Sequence, residues 1–275
     1  MKTIYLILFL LYVGSFSLSA QSIYYNHGSD NFLRAEFNRP VFESFANADF
    51  LSFDLFLNGE FRVGKKNKIS FEIPFSRSSF DTGVGLATTS GLGNLALGFQ
   101  IRDLESPNYL EFKLRLPTMD DNNFGLFTDY TERLASLIPN FISFEAKYNL
   151  ESAKTIGLYY RFKPGLKLLI STNDSSFDDD LELFLDINLL GGYRTNFFDV
   201  NAGIASTSII TEQDIDIRDR VLDQLFATFT YTASSIKPGI IIRVPLDDVG
   251  FDHDIVLGVH MSYIFGTKPS AIDRQ

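Results

Sequence analysis

Hydrophobic and polar residues alternate one for one over long stretches of this chain. In LALGFQIR, Leu97, Phe99 and Ile101 share one parity, and Gln100 and Arg102 share the other. The alternation returns in DFLSFDLFLNGEFRVG, KISFEIPF, YLEFKLRLP, FISFEAKYNL, DLELFLDINL and LFATFTYT. A period of two is that of a β-strand, whose successive side chains point to opposite faces. With a weaker first strand over residues 33–38, the pattern predicts an all-β protein of about twelve antiparallel strands.

The connections between these predicted strands alternate strictly in length. The predicted short ones are residues 64–67, 103–108, 151–154, 191–196 and 233–237. The predicted long ones are residues 39–48, 78–90, 118–139, 164–180, 210–220 and 247–252. Bacterial outer-membrane barrels have short periplasmic turns and long outer loops, whereas a soluble sandwich has no reason to keep this alternation. We therefore predict a transmembrane β-barrel, with an exported soluble β-sandwich or β-helix as the alternative.

The polar parity carries charges of both signs, which we expect to face the barrel interior. The predicted pore-lining residues are Arg62, Glu72, Arg102, Glu111, Lys113, Arg115, Glu145, Lys147, Arg161, Lys163, Glu182, Asp186 and Arg243. Barrels of about 8 strands are filled by side chains and those of 16–18 hold channels, so about twelve strands leave both interpretations open. One is a polar path whose basic strip (Arg102, Lys113, Arg115, Arg161 and Lys163) favours anionic solutes. The other is a charge ladder that fills the interior.

The N-terminus has the order of a secretory signal peptide. Lys2 precedes a nearly continuous apolar run over residues 4–13, and small residues lead to Ala20. The run is short for a membrane-spanning helix of about 20 residues. We predict a signal peptide at 1–20 with cleavage near Ala20, a barrel at 21–265 and a tail at 266–275. The predicted location is the outer membrane of a Gram-negative-type cell.

Composition narrows the classes of function. The chain has 28 Phe and 12 Tyr, which suit strands, and no Cys, which excludes disulfides and thiolate metal sites. A net charge of −10 argues against nucleic acid as a partner. The expected partners are outer-membrane lipid and lipopolysaccharide, the barrel-assembly machinery and a small-molecule solute. No cofactor is expected.

The longest predicted loop contains a possible helix start. Asp129 with Glu132 three residues later resembles a capping box, and a short helix could run to Leu137 before Pro139. The segment is either folded into the barrel mouth, where it narrows the pore, or an ordinary outer loop.

Two further patterns suggest chemistry. Asp178, Asp179 and Asp180 offer hard oxygen ligands but lack the spacing of an EF-hand, so a solvated loop or contact with lipopolysaccharide-bound cations is expected. His260 and Ser262 resemble the His-x-Ser pair of an outer-membrane phospholipase, a twelve-stranded barrel. Their parity points inward, away from lipid, and we predict that the protein is not an enzyme.

One hairpin resembles a known family. Its residues are Gly91, Gly93, Asn94, Leu97, Gly98, Leu114, Leu116, Pro117 and Thr118. They look like a motif of the outer-membrane barrel family named for the meta-pathway of phenol degradation, with Asn94 where that family more often has Asp. Its usual Gly after the Leu-Pro-Thr segment is replaced here by Met119, Asp120 and Asp121.

Members of that family are regarded as transporters or channels. The resemblance covers under a fifth of the chain and implies uptake of small, aromatic molecules. The predicted function is a channel or transporter for small aromatic or anionic molecules. The alternatives are a plugged structural or adhesive barrel and, less favoured, an outer-membrane lipase.

Overall fold

Antiparallel strands make up most of the described chain. The computed structural model describes residues 31–42, 52–81, 86–102, 107–121, 129, 131–152, 156–172, 181–211, 220–246 and 253–265. The predicted signal peptide, the predicted tail and the three consecutive aspartates at 178–180 lie outside these residues.

Thirteen strands lie within the described ranges. They are β1 (Asn31–Phe42), β2 (Phe53–Val63), β3 (Asn67–Asp81), β4 (Leu86–Leu92), β5 (Ala96–Arg102), β6 (Tyr109–Arg115), β7 (Phe141–Glu151), β8 (Gly157–Ser171), β9 (Leu181–Arg194), β10 (Phe198–Ile209), β11 (Val221–Tyr231), β12 (Ile236–Pro245) and β13 (His253–Phe265).

The strands close into a ring of twelve positions. Each strand from β5 to β12 pairs with the strand that follows it in the chain. β13 pairs with β1, β1 pairs with β2, and β2 pairs with β3. On its other side β3 pairs with β5 over residues 67–72 and with β4 over residues 75–81. Because β4 and β5 extend the same position, they act as one strand broken at residues 93–95. The predicted twelve-stranded antiparallel barrel is confirmed.

Burial along the strands is inverted relative to a soluble protein. On β7, Glu145 and Lys147 are buried, whereas Phe144 and Tyr148 are more than two-fifths exposed. Apolar side chains therefore cover the outside of the barrel and charged ones fill the inside. Such a surface suits lipid, and closure of the ring pairs the backbone groups that lipid cannot satisfy.

Two predicted long loops are wrong because strands continue through them. β3 runs to Asp81 and β4 starts at Leu86, so residues 82–85 are the connection rather than 78–90. β8 runs to Ser171 although Pro164 lacks a backbone N–H. The β7–β8 pairing skips the residues opposite Pro164, while Pro164 still lies opposite Ile187 on β9. The proline is thus accommodated at an interruption of one ladder.

Very few of the described residues are helical. A single 3-10 turn, Leu134–Ser136, lies between β6 and β7. Over the ranges given above, no helix has the length and apolarity required to cross a bilayer.

Candidate functional site

The chain between β6 and β7 folds into the barrel interior. Within it, residue 129 and residues 131–138, here called the plug, are surrounded by strand side chains. Thr131, Ala135 and Ser136 are at most 1% exposed. Of the two interpretations of this loop, the structure supports the segment folded into the mouth.

Asn94 holds the plug at the break between β4 and β5. Its side-chain amide donates to the carbonyl oxygens of Ala135 and Ile138, the first at 3.0 Å. Its backbone N–H donates to the Ser136 carbonyl oxygen at 2.8 Å. Its side-chain oxygen accepts the Met119 N–H at 3.0 Å. Asn94 is fully buried, and we call these four bonds the Asn94 latch.

Gly93 and Thr118 complete the latch on either side. A Cβ at Gly93 would collide with the Ser136 carbonyl oxygen, so glycine permits the close approach of the plug. The Thr118 hydroxyl donates to the Gly93 carbonyl oxygen at 2.8 Å and accepts the Leu95 N–H at 2.9 Å. The hairpin motif found in the sequence therefore lies where the plug is anchored.

Arg133 of the plug joins three strands on one side of the barrel. Its Nη1 lies 2.8 Å from Glu36 Oε1 on β1, and its Nε lies 3.3 Å from Glu72 Oε2 on β3. Its guanidinium stacks over the Phe56 ring on β2 at 4.0 Å from the centroid. Glu72 also accepts the Ser136 hydroxyl at 3.2 Å.

Glu132 and Thr131 of the plug contact strands on the opposite side of the barrel wall. Glu132 Oε1 lies 3.3 Å from Lys163 Nζ on β8 and accepts the Asn188 amide of β9 at 3.0 Å. The Thr131 carbonyl oxygen accepts Lys167 Nζ of β8 at 2.8 Å and is approached by the Thr207 hydroxyl of β10 at 3.4 Å. The plug thus spans the cross-section of the barrel.

Asp129 caps a turn rather than a helix. Its Oδ1 accepts the N–H groups of Thr131 at 3.2 Å and Glu132 at 3.0 Å. The helix predicted to run to Leu137 is reduced to the Leu134–Ser136 turn, which has no side-chain cap. Wall contacts compete for the backbone, since the carbonyls of Thr131, Ala135 and Ser136 are taken by other residues.

The residues predicted to line the pore mostly lie inside the barrel. Ten are buried: Glu72, Arg102, Glu111, Arg115, Glu145, Lys147, Arg161, Lys163, Asp186 and Arg243. Lys113 and Glu182 are partly exposed. Arg62 keeps the inward parity, but β2 ends one residue later, so its side chain is exposed at the rim and donates to the Gly64 carbonyl oxygen.

These charges are paired in a network that includes residues the sequence reasoning missed. Arg115 Nη1 lies 2.7 Å from Glu72 Oε1, and Lys147 Nζ lies 2.9 Å from Asp186 Oδ2. The missed members Glu36 and Lys167 follow the inward parity of β1 and β8. Glu36 lies in the predicted weak first strand, and Lys167 lies in a stretch predicted to be a loop.

A second network lies near the short-turn end. Arg194 contacts Asp199 at 2.8 Å and Glu151 at 3.1 Å, and Arg161 contacts Glu151 at 3.3 Å. The Tyr159 hydroxyl donates to Asp199 at 2.7 Å. These contacts add polar filling below the plug, where β7, β8, β9 and β10 meet.

Between the plug and the β3–β5–β6 wall is a polar cavity of about 80 Å³. Lys113, Lys147 and Lys163 line it together with Glu111 and Glu132. The plug thus forms part of the cavity wall.

The charged side chains around the cavity set the ionisation state of Glu132. Burial raises the pKa of its carboxyl, but nearby cations, chiefly Lys163 and then Lys147, Lys113 and Arg133, outweigh burial and lower the pKa to about 2. Glu132 is therefore a carboxylate at neutral pH, and the plug carries a charge that the wall stabilises.

The His-x-Ser pair lies inside the barrel. His260 and Ser262 are both buried, the Ser262 hydroxyl accepts Arg34 Nε at 2.9 Å, and His260 Nε2 lies 3.3 Å from the Thr230 hydroxyl. This position is away from the lipid-facing surface. In the part of the chain that the structure describes, no three His, Asp or Glu side chains converge as metal ligands.

Solved structures of outer-membrane barrels resemble this fold. LpxR from Salmonella typhimurium has a TM-score of 0.54 and 12% identity, covering 85% of this chain and 100% of that one. The NanC porin has a TM-score of 0.50 and 10% identity, covering 86% and 100%. No family model and no curated protein matches the sequence. At these identities the likeness shows the fold, which is that of an outer-membrane β-barrel.

Proposed function

We propose that this protein is an outer-membrane channel for small solutes, closed in this structure by the plug. The observation that carries the proposal is the plug itself. A segment outside the strand ladders occupies the interior, and side chains rather than ladder pairing hold it to most of the wall. The plug occupies interior space that the strands enclose, so its release would widen the interior at that level.

The charge inventory supports a preference for anions once the plug leaves. Among the described residues, eleven Lys and Arg side chains and ten Asp and Glu side chains are buried. The plug supplies one of these bases, Arg133, and two of the acids, Asp129 and Glu132. Its departure leaves ten bases facing eight acids, and a lumen with excess positive charge favours anions.

The hairpin that resembles the phenol-degradation family supports the finer proposal. Its Asn94 donates hydrogen bonds to the plug, Gly93 permits the close approach of the plug, and Thr118 donates to the Gly93 carbonyl oxygen. Small aromatic or anionic molecules are the solutes that the resemblance and the charges favour. The protein would lie among lipid and lipopolysaccharide after export and insertion by the barrel-assembly machinery, and it would act without catalysis.

Single-channel recording tests the proposal. The mature chain, refolded and checked by heat-modifiable migration in electrophoresis, is placed in a planar bilayer under a potassium chloride gradient. We expect discrete openings whose reversal potential indicates anion preference. Loosening the Asn94 latch by Asn94→Ala should lengthen the openings. Silence from both folded proteins would reject passage through the lumen.

A plugged structural barrel is the second candidate, favoured by the buried ion pairs. Arg133 and Glu132 are paired with the wall on opposite sides, and breaking a buried pair costs about 3–5 kcal/mol. If plug release is too costly at any useful frequency, the barrel is permanently closed. The same recordings separate the two candidates, because only a channel responds to loss of the latch.

A further inference from the structure

The interior cavity beside the plug contains one cation whose charge is not matched at close range. We propose that this cavity binds a small monovalent anion, a halide or a small carboxylate, at the Lys113 ammonium. The inference deepens the proposed passage of anions and rests on it. It identifies where the solute first binds while the plug is still in place.

Lys113 differs from the other cations of the cavity. Lys163 lies within 3.4 Å of both Glu111 and Glu132, and Lys147 lies 3.0 Å from Glu145. Among the described residues, Lys113 Nζ makes no hydrogen bond and no ion pair within 4.0 Å. The Lys113 side chain is partly exposed and has no carboxylate within ion-pair distance, so a diffusible anion can approach its ammonium and stabilise it.

Gly98 and Ser70 line the cavity on one side of Lys113. Gly98 is the neighbour of Lys113 across the β5–β6 ladder, and Ser70 pairs with Gly98 on the β3–β5 ladder. A Cβ at Gly98 would collide with the Ser70 hydroxyl. On the other ladder Lys113 faces Glu145, whose carboxylate is directed to Lys147 and Arg115.

The size and the charge of the cavity select the class of ligand. The cavity, with a volume of about 80 Å³, has room for several waters or a small anion. Five bases line it, namely Arg34, Lys113, Arg133, Lys147 and Lys163, and four acids, namely Glu60, Glu72, Glu111 and Glu132. The one excess positive charge favours an anion over a cation.

The site is coupled to the plug through Glu132. This carboxylate lines the same cavity and is held by Lys163, so an anion near Lys113 repels it. Occupancy therefore weakens the hold of the wall on the plug. Binding of the anion and opening of the lumen would favour each other, as linkage requires.

Chloride-35 NMR line broadening tests the site in the refolded mature barrel. Chloride is titrated against the unaltered protein, Lys113→Met, Lys113→Gln and the control Lys65→Met, which alters an exposed lysine on the β2–β3 turn. We expect excess broadening that acetate reverses, that falls at least fivefold in both Lys113 variants and that persists in Lys65→Met. Two neutral replacements are used so that failure of one to refold leaves the test intact.

Three results would overturn the inference. No excess broadening in the unaltered protein means that the cavity holds only water. Broadening that survives both Lys113 replacements means that chloride binds elsewhere. Broadening lost equally in Lys65→Met indicates a nonspecific effect of net charge. Failure of the anion site can be distinguished from failure of the channel, because the two are measured separately. NMR line broadening reports anion binding, and bilayer recording reports conductance.

Discussion

The side-chain amide of Asn94 donates to the carbonyl oxygen of Ala135 at 3.0 Å, although 41 residues separate them. Asn94 lies where β4 breaks before β5, and Ala135 lies in the middle of the plug. The break frees the Asn94 backbone N–H from the β-ladder, and this group binds the next plug residue, Ser136. An interrupted strand thus becomes the docking point of the plug inside the barrel.

Replacing Asn94 by Ala should release the plug. The change removes both amide bonds and leaves the buried Ala135 carbonyl and the partly buried Ile138 carbonyl without these partners, for a cost of about 2–5 kcal/mol. The chain has no cysteine, so Ser136→Cys gives a single probe of plug position. A water-soluble thiol reagent should label the cysteine of Ser136→Cys slowly when Asn94 is present. Labelling should be at least tenfold faster when Asn94→Ala is added.

The matched control is Asn67→Ala, at the short-turn start of β3. It should leave both labelling and conductance unchanged. Equal labelling rates with Asn and Ala at 94 in folded barrels would show that the latch does not hold the plug.

Adding one methyl group at Gly93 should have a similar effect. In Gly93→Ala the new Cβ meets the Ser136 carbonyl oxygen, a backbone atom that cannot yield without moving the plug. We expect more frequent channel openings and a lower midpoint of heat-induced unfolding. Gly191→Ala is the control, because its Cβ would meet nothing within 4 Å on the outer surface. If both variants behave like the unaltered protein, the close approach at Gly93 is not needed for closure.

The alternating pattern was sufficient to predict the buried face of strands such as β7, but it missed β4 and the second half of β8, which were predicted to be loops. Lipid and the interior impose opposite requirements on neighbouring residues, so a strand such as β7 records both in its sequence. The orientation of the barrel stays a prediction from loop lengths, and the connection at residues 82–85 departs from the predicted alternation of short and long loops. The alternating pattern is local information, because it depends only on residues two apart.

The closure of the lumen could not be predicted in the same way. The contact between Asn94 and Ala135 joins distant parts of the chain, and no spacing rule connects a strand break to a loop 41 residues away. Pro164 led to the wrong prediction that a loop begins at this residue. Proline usually ends strands, yet here the ladder on one side is interrupted to accommodate it. The glycine and asparagine at the break were visible, but their role depends on what packs against them.

The lipid-facing surface gives a prediction that is independent of the plug. Leu189 lies in the middle of β9 and is 49% exposed, and Val63 ends β2 at 47% exposed. Arginine near the bilayer midplane costs about 2–4 kcal/mol, and near the interface about 0–1 kcal/mol. Leu189→Arg should lower the free energy of unfolding of the barrel in vesicles by the larger amount and Val63→Arg by the smaller. Equal effects in urea titrations would contradict the assignment of this face to lipid.

Acid should open the barrel through Glu132. The carboxyl has a pKa of about 2 when the plug is docked and an ordinary value near 4.5 when it is released. Because docking lowers the pKa, this group stabilises the closed state fully above pH 4.5, and its contribution is lost as pH falls towards 2. The difference corresponds to about 3 kcal/mol. Conductance should therefore rise as the pH is lowered from 5 to 3.

Glu132→Gln separates this effect from the titration of other interior groups. Glutamine keeps an acceptor for the Asn188 amide but cannot offer a charge to Lys163. The variant should open more often at pH 7, and its conductance should change less between pH 5 and 3. An acid response of equal size in Glu132→Gln would assign the pH dependence to other carboxyls of the lumen.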